Sequence, residues 1–220
     1  MTSLLLLDLD GVVVIEIAPP HVAKLEIILL HELIDEILGN IHVPIVVLTH
    51  RSRAEANLIL QSAGLTDREV AAVIAAEDIL KAALKSGRRW LLLRHGLKKS
   101  WILPEVEKRY GVARRDIAFI DDRHDNLEDM LENGIGLAIL APSGMAIDGL
   151  NLVSFDLKQI VRLLEDWKGE RVPHILTLAS REISIERWRR TGVGTNQGSQ
   201  HIFNKARRYG RMIRSLVGTS

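Results

Sequence analysis

The chain has 220 residues, 47% of them hydrophobic and 26% charged, a balance that suits a folded domain and excludes a disordered polymer. It has no cysteine, which excludes disulfide scaffolds, cysteine-ligated zinc or iron, and thiol catalysis. The net charge of +1 hides an asymmetry: residues 1–150 hold 16 basic against 22 acidic side chains, and residues 151–220 hold 13 against 6. In chain order, Ser3–Leu9 is short and almost wholly aliphatic, as expected of a strand buried on both faces of a parallel sheet. The run Leu4–Leu7 is cut by Asp8 and Asp10, too short for a membrane span or a signal-peptide core, so a soluble, cytoplasmic protein is expected.

A short flap over Val12–Pro20 leads to a predicted helix over roughly His21–Leu38, with Leu25, Ile28, Leu29 and Leu33 on one face. Ile41–Thr49 reads as a second buried strand, and Ala54–Ala63 as a helix closed by Gly64. Over 65–97, Val70–Ala76 and Trp90–Leu93 are both candidate strands, with Asp78–Leu84 helical between them. Ser100–Tyr110 is a predicted helix with Ser100 as cap, Pro104 in the first turn and Gly111 at its end. Asp116–Asp121 and Gly136–Leu140 read as strands, Leu127–Glu132 as a helix closed by Asn133-Gly134, and Asp156–Trp167 as the last helix of the body. Such alternation predicts an open, mainly parallel sheet between helical layers, a three-layer α/β/α domain over residues 1–168.

Three of these strands end in residues able to do chemistry. The first runs into Asp8-Leu9-Asp10-Gly11-Val12, the second into Thr49, and a later one into Asp121-Asp122. Ligands of an open parallel sheet bind beyond the carboxyl ends of its strands, so four carboxylates and a hydroxyl are expected at one rim. Carboxylates crowded together repel and are costly to desolvate, which calls for a cation among them; all-oxygen ligands of this hardness suit Mg²⁺ completed by a substrate phosphate. Each element alone has an ordinary explanation. A lone DxD is common at strand ends, an Asp pair often caps a helix, and a Lys-Lys pair usually marks a wet surface. His21, His31 and His42 show no ligand spacing, and structural or exposed roles are expected for them.

In this order and on these elements, the motifs resemble the haloacid dehalogenase (HAD) superfamily of phosphatases and phosphoryl transferases. The similarity covers about residues 1–145 and implies a HAD-like Rossmannoid core. It implies that Asp8 is the nucleophile that forms an aspartyl-phosphate. Asp10 would protonate the leaving oxygen, activate water, and lend its backbone carbonyl to Mg²⁺. Thr49 would bind phosphoryl oxygens, a lysine at 98 or 99 would offset the charge of Asp8 and phosphate, and Asp121 and Asp122 would bind the metal. Lys98 and Lys99 both stand just before the Ser100 helix, and the position next to its cap favours Lys99. Ile120 stands where many members have a glycine, with Asp125 or Asn126 available for a later acidic position. The phospho-receiver domain also combines acids, Thr and Lys, but in a different order.

The 39 positions from Asp10 to Thr49, and the 49 from Thr49 to Lys98, leave room for a minimal cap or none. An open site suits bulky or macromolecular phosphoesters. His50, Arg51 and Arg123 adjoin the motifs, where they could touch substrate or pair at the surface, and no catalytic role is expected of them. A basic C-terminal extension is expected over 169–220, with a flexible linker near Thr191–Ser199. Ile202, Ala206, Tyr209, Ile213 and Leu216 form an apolar helical seam there, surrounded by basic residues. From Arg187 on there are eight basic residues and no acid. That tail could dock on the acidic body, or engage nucleic acid or an acidic partner over 187–214. The contrasting reading of the whole chain is a HAD-like binding module, or a phosphoryl transferase, whose tail holds such a partner.

Overall fold

The structure is a computed structural model and describes residues 3–17, 26–31, 34–65, 67–145, 151–167 and 169–184. The first strand, β1 (Leu4–Leu7), is four buried leucines. A tight loop follows, in which the amides of Val13 and Val14 both donate to the Leu9 carbonyl at 3.0 Å. The chain then forms an antiparallel hairpin of β2 (Val14–Ile17) and β3 (Glu26–Leu29), and α1 (Ile34–Gly39) comes after it. The long helix expected over His21–Leu38 is thus strand over Glu26–Leu29 and helix only from Ile34. Ile27 and Ile28 are β-branched, and β2 pairs with them in register, Ile15 opposite Ile28 and Glu16 opposite Ile27. That pairing prevails over the three-and-four spacing of Leu and Ile that suggested a helix.

The next strand, β4 (Ile45–Leu48), is buried throughout. Beyond it Ser52 and Glu55 form a capping box that starts α2 (Arg53–Ser62). Of the two strand candidates in the unclear stretch, Val70–Ala76 contains β5 (Ala72–Ile74), which pairs with β4. It is followed by α3 (Ala76–Lys85) and α4 (Arg89–His95), so Trp90–Leu93 is helical and not a strand. Gly87, at φ +73°, turns the chain so that α4 packs along α3, and Leu92 joins the core there.

Lys99–Ile102 is a buried 3₁₀ turn, and α5 (Leu103–Tyr110) begins only after it. Ser100 therefore does not cap the helix: its hydroxyl is buried without a hydrogen-bond partner among the described residues. Burying Trp101 and Ile102 in the core, with Lys99 drawn inward, tightens this segment before the α-helix can start.

Next come β6 (Ile117–Asp121), α6 (His124–Glu132) and β7 (Leu137–Leu140), close to where the pattern of residues predicts them. The last elements are β8 (Gly144–Met145), β9 (Asn151–Phe155), α7 (Lys158–Asp166), β10 (Leu176–Thr177) and β11 (Ser180–Ser184). β10 extends the main sheet beside β7, and β11 pairs antiparallel with β9. Residues 176–184, beyond the expected boundary at 168, are therefore built into the sheets. The linker at 191–199, the apolar seam from Ile202 to Leu216 and the basic tail over 187–214 lie outside the described residues.

The six parallel strands stand in the order β10-β7-β6-β1-β4-β5, while β11-β9-β8 form a smaller sheet. Leu5, Leu7, Val47 and Ile120 face one core with side chains of α1, α2 and α7; Leu4, Leu6, Val46 and Phe119 face another with α3, α5 and α6. This is the expected three-layer arrangement, and burial on both faces explains the unbroken aliphatic runs. The chain leaves β1 through β4 to β5, then returns on the other side of β1 through β6 and β7. The order reverses at β1, so a crevice opens at its carboxyl end, where Asp8 stands. Among the described residues no helix is long and apolar enough to cross a membrane.

Candidate active site

Asp8 and Asp121 leave neighbouring strands side by side. Leu7 is in register with Ile120, and the Asp8 amide donates to the Ile120 carbonyl at 2.9 Å. Both carboxylates are buried, and between them lies the ammonium of Lys99, 2.7 Å from Asp8 Oδ2 and 2.7 Å from Asp121 Oδ2. Lys99 is only 1% exposed, and its Nζ sits 5.4 Å from the centre of the Phe119 ring. Asp121 also accepts hydrogen bonds from the Arg123 amide at 2.8 Å and from Asn126 Nδ2 at 3.0 Å. Asp8 Oδ1 accepts from the Leu9 amide at 2.7 Å.

Asp122 is half-buried, and its carboxyl group packs against the backbone of Gly11. A Cβ on Gly11 would lie 2.2 Å from Asp122 Cγ, and Gly11 adopts φ +74°. Only glycine fits both the conformation and the space. One carboxylate oxygen from each of Asp8, Asp121 and Asp122 can lie within 4.8 Å of the others. Three carboxylates against one ammonium leave an excess of negative charge, and the donors are all oxygen, so the set suits a hard divalent cation.

The electrostatics agree. Burial, first, and the neighbouring Asp121 carboxylate push the Asp8 pKa up to about 8 despite the opposing pull of Lys99. Burial and Asp121 likewise push Asp122 up to about 6. For Lys99, burial opposes the charge, but the Asp8 and Asp121 carboxylates prevail and hold its pKa above that of an ordinary lysine.

The Asp10 side chain does not join this cluster. It is held by Arg51, whose Nε lies 2.9 Å from both carboxylate oxygens and whose Nη2 lies 2.6 Å from Oδ1. Asp10, Arg51 and Asp122 line a cleft of ≈ 490 Å³, with Ile15 from the hairpin, Ser143 from the loop after β7 and Gly144 from β8. Thr49 is buried at the end of β4; its amide donates to the Ile74 carbonyl at 3.0 Å and its Oγ1 accepts from the Arg51 amide at 3.1 Å. Of the two candidate lysines, Lys98 points elsewhere, pairing with Asp129 of α6 at 2.9 Å. Asp125 pairs with Arg123, both exposed, whereas Asn126 reaches Asp121. His31 is buried behind the loop, its Nε2 donating to the Val12 carbonyl at 3.0 Å and its ring edge-on to Phe155. What sequence reasoning missed is the pairing of Arg51 with Asp10. The signal of Arg51 was its position, two residues beyond a strand-end Thr.

No family model matches the chain, and no curated protein matches it. Among solved structures, it is similar to a HAD-superfamily hydrolase of subfamily IA from Geobacter sulfurreducens PCA. That match has 13% identity and a TM-score of 0.45, over 64% of this chain and 89% of that one. It is also similar to a haloacid dehalogenase-like hydrolase from Streptococcus pneumoniae, with 12% identity and a TM-score of 0.43, over 63% of this chain and 84% of that one. A third match is 3-deoxy-D-manno-octulosonate 8-phosphate phosphatase from Moraxella catarrhalis, solved with magnesium, phosphate and the sugar acid. It has 15% identity and a TM-score of 0.42, over 77% of this chain and 87% of that one.

Proposed function

We propose that this chain is a Mg²⁺-dependent phosphomonoester hydrolase of HAD type that works through an aspartyl-phosphate on Asp8. The observation that carries the reading is the Lys99 bridge: one ammonium 2.7 Å from two buried strand-end carboxylates, with Asp122 within reach of the same point. Asp8, Asp121 and Asp122 would hold the metal, together with the Asp10 carbonyl. When bound, Mg²⁺ neutralises charge on the phosphoryl oxygens and keeps Asp8 ionised.

A carboxylate oxygen of Asp8 attacks phosphorus as the bond to the leaving oxygen breaks. Asp10, oriented at the cleft by Arg51, gives that oxygen a proton. In the second half Asp10 takes a proton from water, which attacks phosphorus and frees Asp8 and inorganic phosphate. Lys99 offsets the repulsion between Asp8 and the incoming phosphate, and Thr49 donates its hydroxyl proton to a phosphoryl oxygen. The cleft, bordered by a short hairpin and a loop, suits bulky or macromolecular phosphoesters.

The test is a screen of phosphorylated metabolites, nucleotides and end-phosphorylated oligonucleotides, each with Mg²⁺ and with a chelator. Phosphate release that requires Mg²⁺ supports the reading. Release from none of these classes, by protein that is folded and binds Mg²⁺, overturns it.

A further inference from the structure

We propose that the α3–α4 hairpin is a docking element for an anionic lipid surface. Large apolar side chains project from it: Trp90 is 73% exposed, Leu93 65%, Leu91 44% and Leu84 43%. On α4, Trp90 and Leu93 are one turn apart and share a face, while Leu92 turns inward to the core. Isolated exposed leucines are ordinary; an exposed tryptophan and leucine one turn apart on the same short helix mark a contact surface.

Past Glu77 and Asp78 at the start of α3, the charge along the hairpin sequence is of one sign. Between Ile79 and Pro104 the sequence holds seven Lys and Arg and no acid. Lys85 is paired with Glu105, Lys98 with Asp129, and Lys99 belongs to the buried site, while Arg88 lies over the Trp101 ring. Lys81, Arg89 and Arg94 have no acidic partner among the described residues. Arg89 is four residues before Leu93, and Arg94 four after Trp90, so both flank the apolar pair. Tryptophan and leucine between arginines fit the boundary between phosphate headgroups and acyl chains.

Size favours lipid over a protein partner. A helix of seven residues is about 10 Å long. It cannot by itself supply the roughly 800 Å² per partner that a stable protein interface needs. A bilayer sets no such threshold, and weak anchors add to one another. The sequence from Arg187 to Ser220, with eight basic residues and no acid, supplies a second attraction of the same sign. A nucleic acid would be served by the arginines but leave three leucines without apolar cover.

The chain has no cysteine, so Leu93→Cys offers a single attachment point for an environment-sensitive fluorophore on the full-length protein. Asn57→Cys, exposed on α2 against the opposite core, is the control. With vesicles of mixed phosphatidylcholine and phosphatidylglycerol, the probe at 93 shifts to the blue and is shielded from an aqueous quencher; the probe at 57 does not change. Vesicles of phosphatidylcholine alone give little shift. Arg89→Glu with Arg94→Glu weakens partitioning at least about tenfold. Protein that binds the vesicles while the probe at 93 stays wet overturns the proposal, since the tail then acts alone. A shift at 93 that appears without vesicles as protein concentration rises, or on adding an oligonucleotide, overturns it in favour of a second copy or nucleic acid.

Discussion

The ammonium of Lys99 lies 2.7 Å from the carboxylate of Asp8, and both side chains are buried. They come from distant parts of the chain, a strand end and a 3₁₀ turn, so each holds the other's element in position. Lys99→Met removes the cation and leaves two buried carboxylates facing each other. The loss of stability is expected to be small at pH 5, where the Asp8 carboxyl is protonated, and on the order of 3 kcal/mol at pH 8. Urea unfolding at the two pH values measures it, and an equal loss at both contradicts the bridge.

Gly11 lies so close to Asp122 that even one methyl group must move that carboxyl, and φ +74° adds backbone strain. Gly11→Ala is expected to raise the Mg²⁺ concentration for half-maximal effect by at least about tenfold, with a smaller effect on melting temperature. Calorimetric titration with Mg²⁺ reads this directly, and unchanged affinity contradicts the contact.

Metal binding is expected to depend on pH through Asp8. Its pKa in the metal-free protein, about 8 against 3.8 for the free group, means that at neutral pH a proton must leave before a cation is bound. Affinity for Mg²⁺ therefore rises from pH 6 to pH 8 with release of a proton. Titrations in buffers of different ionisation enthalpy count that proton; no release at pH 7 contradicts the raised pKa.

Much of this site could be read from the residues. Asp8, Thr49 and Asp121 follow uninterrupted aliphatic runs, and such runs fit few structures other than central parallel strands. Their common rim follows from the topology of an open parallel sheet. The hairpin was not legible, because Leu25, Ile28, Leu29 and Leu33 fit a helical period, and only the partner strand Val14–Ile17 decides. Trp90–Leu93 misled for the opposite reason: four apolar residues in a row have no period. The partner of Arg51 was not legible, because Asp10 is 41 positions away in sequence and nothing local marks the pair.

His31 bears on stability alone. Burial lowers its pKa from 6.5 to about 4, so the native state refuses a proton that the unfolded chain accepts between those values. The stability it secures is complete above pH 6.5 and is lost as pH falls toward 4, by about 3 kcal/mol in all. Denaturation curves across that range should show the slope in the wild type and a shallower one in His31→Gln. Equal slopes contradict a neutral buried ring.

The most direct test is the rate of phosphate release from a simple aryl phosphate, with Mg²⁺, by the wild type and by Asp8→Asn. Asparagine keeps the shape of the side chain and removes the nucleophilic charge. The account predicts Mg²⁺-dependent turnover in the wild type and a loss of at least about a thousandfold in the variant. Turnover by Asp8→Asn at the wild-type rate would contradict it.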